Sequence, residues 1–237
     1  MIVTIMQPAY LPWLGYFDRI RRSDLCISLD HVQIDRNSRT KFANRNKVRT
    51  AQGWTWLTVP IRSGGRYGDM PLDAIDIDSG QDWAARHWKT IEGSYRRAPF
   101  FADWQARLAP VYADPPGQLL PLCRRLTGDL LRGFGITTPV VSSLDLACRD
   151  AKDLLILNLC REVGATTYLS GPFGRDYLDR AAFRAAGIEL LFHDYRHPTY
   201  TQAFPGFEPY MSAIDLALTH GPDSLGILAT DGGLAQE

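Results

Sequence analysis

Three stretches of the sequence hold more polar and aromatic chemistry than a folded core needs. The first is Gln7-Pro8-Ala9-Tyr10-Leu11-Pro12-Trp13-Leu14-Gly15-Tyr16. Gln7, Tyr10 and Tyr16 offer neutral hydrogen-bonding groups and Trp13 a stacking face. The two prolines stiffen the backbone, and Gly15 admits close approach of another group. The second is Ser170-Gly171-Pro172-Phe173-Gly174-Arg175-Asp176-Tyr177. A glycine loop between a strand and a helix can hold phosphate or carboxylate on backbone N–H groups, and Arg175 adds a two-pronged donor. Ser170, Gly171, Gly174, Asp176 and Tyr177 join it as candidate binding residues. The loop is neither G-x-x-x-x-G-K-[ST] nor G-x-G-x-x-G. The third runs from Arg36 to Arg49 and holds six cations in fourteen residues with no acid. Such a run makes a socket for an anionic ligand, with Arg36, Lys41 and Arg45 on phosphates and Asn44 and Asn46 orienting it. Each stretch has a plainer explanation: aromatics plugging a core, an ordinary turn with Asp176 capping the next helix, and a solvated basic loop.

Asp30-His31 ends a strand beside the basic stretch, the placement of a general base, with Asp30 kept ionised and the His31 pKa lowered by nearby cations. Tyr16 completes the candidate catalytic set. His193-Asp194-Tyr195-Arg196-His197 follows a strand and does not form a helical H-E-x-x-H face, so no metal site is expected. Trp54 and Trp56 alternate with apolar residues at strand period, which favours core positions. Beside the basic run they also permit contact with single-stranded RNA.

These residues need a scaffold that brings them together. Residues 2–6 and 25–29 read as buried strands joined through a helix at about 15–22, enough chain for a right-handed βαβ unit. Residues 54–61 read as a strand, 74–77 as a short one, and about 81–134 as three helices broken near Pro99 and Pro115-Pro116. A strand at 140–141, a helix from a cap at Asp150 to Val163, a strand at 166–169, a helix at 176–186 and a strand at 188–192 follow. The pattern predicts an α/β fold: a mainly parallel sheet of βαβ units with a helical lobe inserted in the middle, in one domain over 1–237. Ligands of such sheets bind beyond the carboxyl ends of the strands, where the first two stretches fall.

Composition narrows the setting. With 237 residues, 45% apolar and 26 cations against 26 acids, the chain is no disordered tail. Zero net charge disfavours binding to nucleic acid or membrane through a global field. Cys26, Cys123, Cys148 and Cys160 are scattered and read as buried thiols of a reducing compartment. No apolar run of 18 residues exists and the N-terminus lacks a basic leader, so a cytoplasmic protein without membrane insertion is expected.

The sequence resembles the WbqC-like proteins along nearly its whole length. The markers are Ile5-Met6-Gln7-Pro8, Pro12-Trp13-Leu14-Gly15-Tyr16-Phe17, Leu29-Asp30-His31-Val32 and Asn44-Arg45-Asn46. Further on stand Leu57-Thr58-Val59-Pro60, Tyr168-Leu169-Ser170-Gly171, Gly174-Arg175-Asp176-Tyr177-Leu178, Tyr200-Thr201-Gln202 and Ser212-Ala213-Ile214-Asp215. The resemblance implies a transferase of surface-polysaccharide (O-antigen) or amino-sugar biosynthesis. Such an enzyme would join an acyl or aminoacyl group, glycyl for example, to an amine on a nucleotide-linked acceptor. Trp13-Leu14-Gly15-Tyr16 also stands where nucleotidylyltransferases and pantothenate synthetase carry H-x-G-H. That implies an adenylate-forming alternative with ATP or another nucleotide, and magnesium, as cofactor. Aromatic residues replace both histidines here, so Arg36, Lys41, Arg45 or Arg175 would have to supply the charge. The remaining alternatives are a non-catalytic nucleotide-sugar-binding protein and a protein that recognises an aminoacyl-tRNA donor. The expected partner is a small anionic substrate; oligomeric state is not legible.

Overall fold

The computed structural model describes residues 1–34, 43–65, 69–150, 153–229 and 234–235. Arg36 and Lys41 lie outside them. Along the chain run β1 (Ile2–Met6), α1 (Leu14–Arg21), β2 (Leu25–Ser28), β3 (Arg45–Thr50), β4 (Gly53–Thr58), α2 (Trp83–Tyr95), α3 (Phe101–Ala113) and α4 (Leu119–Phe134). They are followed by β5 (Val140–Ser142), α5 (Asp153–Glu162), β6 (Thr167–Ser170), α6 (Arg180–Ala185), β7 (Glu189–His193), α7 (Ile214–His220), α8 (Ser224–Leu228) and β8 (Leu234–Ala235). The main sheet has the order β5-β2-β1-β6-β7-β8. Its first five strands are parallel, and β8 pairs antiparallel at the edge. The fold is therefore α/β, with α2–α4 inserted between the hairpin and β5.

Side-chain alternation explains the layers. Met6 and Cys26 face Leu14, Phe17 and Ile20 of α1 and share a core with the inserted helices and α7. Val3, Ile5 and Ile27 face the opposite way, onto α5 and Phe183 of α6. Fully burying side chains such as Leu14 or Phe17 contributes about 1.5–3 kcal/mol each. Helix α4 repeats apolar residues at helical spacing (Leu119, Leu122, Leu126, Leu130, Phe134) and stops at Gly135, whose φ of 69° is left-handed. This anchorage delivers Arg124, on the helix flank, to the end of β2.

Three expectations change. The polar stretch before residue 50 contains β3, paired antiparallel with β4 from Arg45↔Thr58 to Thr50↔Gly53. Residues 74–77 make only isolated bridges, Asp76 to Gln118 and Ile61 to Ile77, after a 3-10 turn at Leu72–Ala74. The helix expected from Asp176 starts at Arg180, because Pro172–Asp176 winds as a 3-10 turn and Asp179, not Asp176, caps the helix by accepting from the Ala182 N–H at 3.0 Å.

Candidate anion-binding site

Strand order reverses between β1 and β6: the chain leaves β1 toward β2 on one side and β6 toward β7 on the other. A crevice opens at such a switch point. The loops that leave these two strands are the Gln7–Tyr16 and Ser170–Tyr177 stretches.

Helix α1 places two adjacent charges here and treats them oppositely. Asp18 is fully buried and accepts hydrogen bonds from Arg21 (2.7 Å), Arg22 (2.7 Å) and His193 Nε2 (2.8 Å). Burial by itself would raise its pKa. The bonds from His193, Arg22 and Arg21 outweigh that and hold the carboxyl below its usual range. Burial likewise lowers the pKa of His193, against the pull of Asp18. Arg19 turns toward β6, and its Nε is buried with no hydrogen-bond partner. A Cβ on Gly171 would overlap its Nη1, so the loop has glycine there to let the guanidinium lie against the backbone. The charge of Arg19 acts on Tyr16, Tyr168 and Tyr177, in each case against the upward push of burial.

The glycines of this loop make room for side chains instead of forming a nest. A Cβ on Gly174 would overlap Ser170 Oγ, and Ser170 is itself buried. The Gly174 N–H donates to Gly171 O at 3.0 Å, and the Tyr177 N–H to Gly174 O at 3.3 Å. These amides are spent inside the turn and do not hold an anion. Arg175 lies 4.6 Å above the Phe192 ring, while Asp176 and Tyr177 are exposed.

On the other flank of β1, the carboxylate expected to act as a base is fully engaged. Asp30 is buried and accepts from Ser28 Oγ (2.6 Å), Ser142 Oγ (2.5 Å) and the Arg124 guanidinium. His31 Nδ1 lies 2.7 Å from Ser143 Oγ, which also accepts the Asp30 N–H at 2.9 Å. Among the described residues His31 Nδ1 is the acceptor available to the Ser143 hydroxyl, so the serine donates to it. With Nδ1 accepting, the His31 ring carries a proton on Nε2, which is buried and unpartnered. Arg19 Nε and His31 Nε2 are the unpartnered buried side-chain nitrogens and oxygens of the described residues, and both are N–H donors. Burial pushes the pKa of Tyr16, on α1, well up, with Cys26, Cys123 and Asp30 adding and Arg19 opposing. It is a neutral hydroxyl and not a base. Tyr16 also lines a cavity of about 320 Å³ with Pro8, Ser28, Arg124 and Ser142.

The other expected residues lie apart from this edge or serve packing. Gln7 leaves the end of β1 and donates to Gln33 O at 3.2 Å. Tyr10 is in the core, its hydroxyl 2.8 Å from His87 Nδ1 and 2.7 Å from the Tyr112 hydroxyl. The Trp13 ring folds over Gly15, where a Cβ would overlap it, and packs against Tyr195 and Tyr210. Asn44 Nδ2 donates to Val59 O at 2.8 Å and Asn46 Nδ2 to Leu11 O at 2.5 Å. These two asparagines pin the hairpin. Arg45 stacks on Trp56 at 4.3 Å and Lys47 on Trp54 at 4.8 Å. The two tryptophans therefore belong to the outer face of the hairpin, and Trp54 is 43% exposed, not core. His193 and His197 are committed separately, His193 to Asp18 and His197 to Pro198 O and the Tyr210 N–H. Cys26, Cys123 and Cys160 are buried free thiols and Cys148 is half-buried. Burial raises all four pKa values, to about 12 for Cys26 and Cys160.

Arg19, Arg124, Ser142 and Ser143 escaped the sequence reading. Asp18-Arg19-Ile20-Arg21-Arg22 looks like a solvated helix face, and Arg124 belongs to an amphipathic helix far along the chain. The available signal was position: Arg19 is on the first helix of a βαβ unit, one side chain away from the switch point.

The described residues form an α/β protein with two unpartnered buried nitrogens, Arg19 Nε and His31 Nε2. Residues 7–227 match the model of the WbqC-like protein family, so the chain belongs to that family. The uncharacterized protein Rv1507c of Mycobacterium tuberculosis is 37% identical over 224 residues, covering 94% of this chain and 95% of that one. No solved structure matches the chain. Among the described residues no helix is long and apolar enough to cross a membrane.

Proposed function

We propose that the chain is a transferase of surface-polysaccharide or amino-sugar biosynthesis. It joins an activated acyl or aminoacyl group, such as glycyl, to the amine of a nucleotide-linked sugar. The observation that carries this reading is the pair of buried, unpartnered N–H donors, Arg19 Nε and His31 Nε2, at the carboxyl edge of the sheet. An unmade hydrogen bond on a buried donor costs about 1–3 kcal/mol, a cost that a bound acceptor removes. The strands bearing the Ser170 and Asp30 loops flank β1, so two strand spacings, roughly 10 Å, lie between them. That span suits an extended ligand with oxygen acceptors at both ends.

In the proposed reaction a carboxylate oxygen of the amino acid takes the terminal phosphoryl group of ATP, releasing ADP, and the amine nitrogen attacks the carbonyl carbon of the resulting acyl phosphate. The C–N bond forms, the C–O bond to phosphorus breaks, and the proton lost from nitrogen passes to solvent. Arg19 holds the phosphate before and after it leaves, and the His31 N–H donates to the developing oxyanion. Asp30, with its oxygens occupied, acts by fixing Arg124 and the Ser142–Ser143 turn. Tyr16 donates its hydroxyl, and juxtaposition of the two substrates supplies much of the rate.

The test is incubation of the chain with ATP, amino acids and nucleotide-linked amino sugars, singly and together, followed by mass spectrometry. The expected result is an acceptor heavier by one acyl unit, formed by the wild type and by Arg45→Ala but not by Arg19→Ala. Product formation at an undiminished rate by a folded Arg19→Ala variant overturns the assignment.

A further inference from the structure

A second cavity, of about 540 Å³, opens where the end of α2, the turn into α3 and the end of α7 meet the 201–204 segment. It shares no lining residue with the cavity at the sheet edge. Arg96 and Arg97 line it together with Ser94, Thr201 and His220, and no carboxylate does so among the described residues. Both arginines are exposed, and neither guanidinium makes a hydrogen bond or ion pair with a described residue. The C-terminal dipole of α2 favours a cation at this end. It does not account for two of them facing a concave space with no acid.

The rest of the wall is prepared. Gln202 is buried and held in three directions: its Oε1 accepts from Arg49 Nε at 3.1 Å, and its Nε2 donates to Asp215 Oδ2 and Glu208 O, both at 2.9 Å. His220 Nε2 donates to Thr201 O at 2.9 Å, which fixes the ring and leaves Nδ1 for a hydroxyl of a ligand. The cavity thus combines two free guanidinium groups, hydroxyls and an acceptor. It fits a small molecule that carries both a phosphate and donor hydroxyls, and its volume is in the range of metabolite sites.

We propose that this cavity is a binding site for a phosphorylated sugar, with the phosphate between Arg96 and Arg97 and the sugar hydroxyls toward His220 and Thr201. The site is independent of the transferase assignment, since it shares no residue with the sheet edge.

The experiment is calorimetric titration at low ionic strength with glucose 6-phosphate, inorganic phosphate and glucose. Wild type, an Arg96→Ala/Arg97→Ala double variant and Arg19→Ala are compared. Glucose 6-phosphate is expected to bind wild type and Arg19→Ala alike, and the double variant at least tenfold more weakly. Inorganic phosphate should bind more weakly than the sugar phosphate, and glucose not detectably. A readout that needs no variant is shielding of Arg96 and Arg97 from phenylglyoxal by glucose 6-phosphate, followed by peptide mass. Absence of binding to wild type overturns the proposal, as does equal binding by the double variant or loss of binding in Arg19→Ala alone. Inorganic phosphate binding as tightly as the sugar phosphate overturns the sugar part of the assignment.

Discussion

Arg19 and Arg49 are both arginines packed into the protein, and their surroundings treat them in opposite ways. Arg49, on β3, donates Nε to Gln202 Oε1, Nη1 to the carbonyls of Thr50 and Gly53, and Nη2 to Pro205 O at 2.7 Å. Gln202 passes the connection to Asp215, which also accepts the hydroxyls of Tyr95 (2.8 Å) and Tyr200 (2.9 Å). This network ties the hairpin to α2 and to the C-terminal segment. Burial still raises the Asp215 pKa, with Tyr95, Tyr200, Gln202 and Arg49 opposing it. At the sheet edge Arg19 has a buried nitrogen and nothing on it. A closed network describes a clasp, and an open donor describes a place for something else. The two regions therefore differ in kind: Tyr200, Gln202 and Asp215 close on one another and on Arg49, whereas Arg19 and His31 each keep a buried nitrogen unpartnered.

The largest expected effect falls on the clasp. Asp215→Ala leaves two buried tyrosine hydroxyls and the Gln202 amide without their acceptor and Arg49 without its nearby charge. A loss of about 3–5 kcal/mol is expected. Urea unfolding with an unchanged denaturant slope would show it. A loss below 1 kcal/mol would mean that the network is not what holds the hairpin.

A second closed network gives a pH signature. His87 contacts the Tyr10 hydroxyl through Nδ1 and also bonds the Thr58 carbonyl, and burial lowers its pKa from 6.5 to about 4. In the unfolded chain the ring takes up a proton near 6.5, so its contribution is complete above that pH and is lost as pH falls toward 4. The shift amounts to roughly 3 kcal/mol at most. The difference in stability between wild type and His87→Gln should shrink across this window. A constant difference from pH 7 to pH 4 would contradict the assignment.

The parallel strands were legible because apolar β-branched runs stand between Pro, Gly and Asp punctuation, and the two loops at the switch point because prolines and glycines mark them. Strand β3 was hidden by its own chemistry. Arg45, Lys47 and Arg49 alternate along the strand, and a run of cations reads as a solvated loop unless one knows that Trp56, Trp54 and Phe204 lie against them. The start of α6 was misplaced because Asp176 and Asp179 are equivalent as caps in one dimension. Arg19 was invisible for a deeper reason: its significance depends on a missing Cβ at Gly171, far along the chain, and on the absence of a partner, which no local pattern records.

Gly171→Ala tests that dependence. The new Cβ displaces the Arg19 guanidinium, the far end of a flexible side chain, so the stability cost should be about 1 kcal/mol or less, while phosphate-ligand affinity drops at least tenfold. In an Arg19→Ala background the same substitution should cost almost nothing. The cycle therefore yields a coupling of about 0.5–1 kcal/mol, read by thermal melting. Additive losses would show that Gly171 answers to the backbone and not to Arg19.

The smallest effect on stability is the most telling one. Arg49→Met removes the donor to three backbone carbonyls and one of the two donors to Gln202 Oε1, which keeps the Glu208 N–H, and should cost about 3–5 kcal/mol. Arg19→Met keeps most of the aliphatic stem and removes a buried N–H that has no partner to lose. Its stability should stay within about 0.5 kcal/mol of wild type or rise by up to about 1 kcal/mol. If Arg19 served packing alone, the methionine would also leave ligand binding intact. If it anchors an anion, binding and turnover vanish from a protein that melts no earlier than before. A destabilisation of Arg19→Met comparable to that of Arg49→Met would place both arginines in the scaffold and remove the distinction between the two regions.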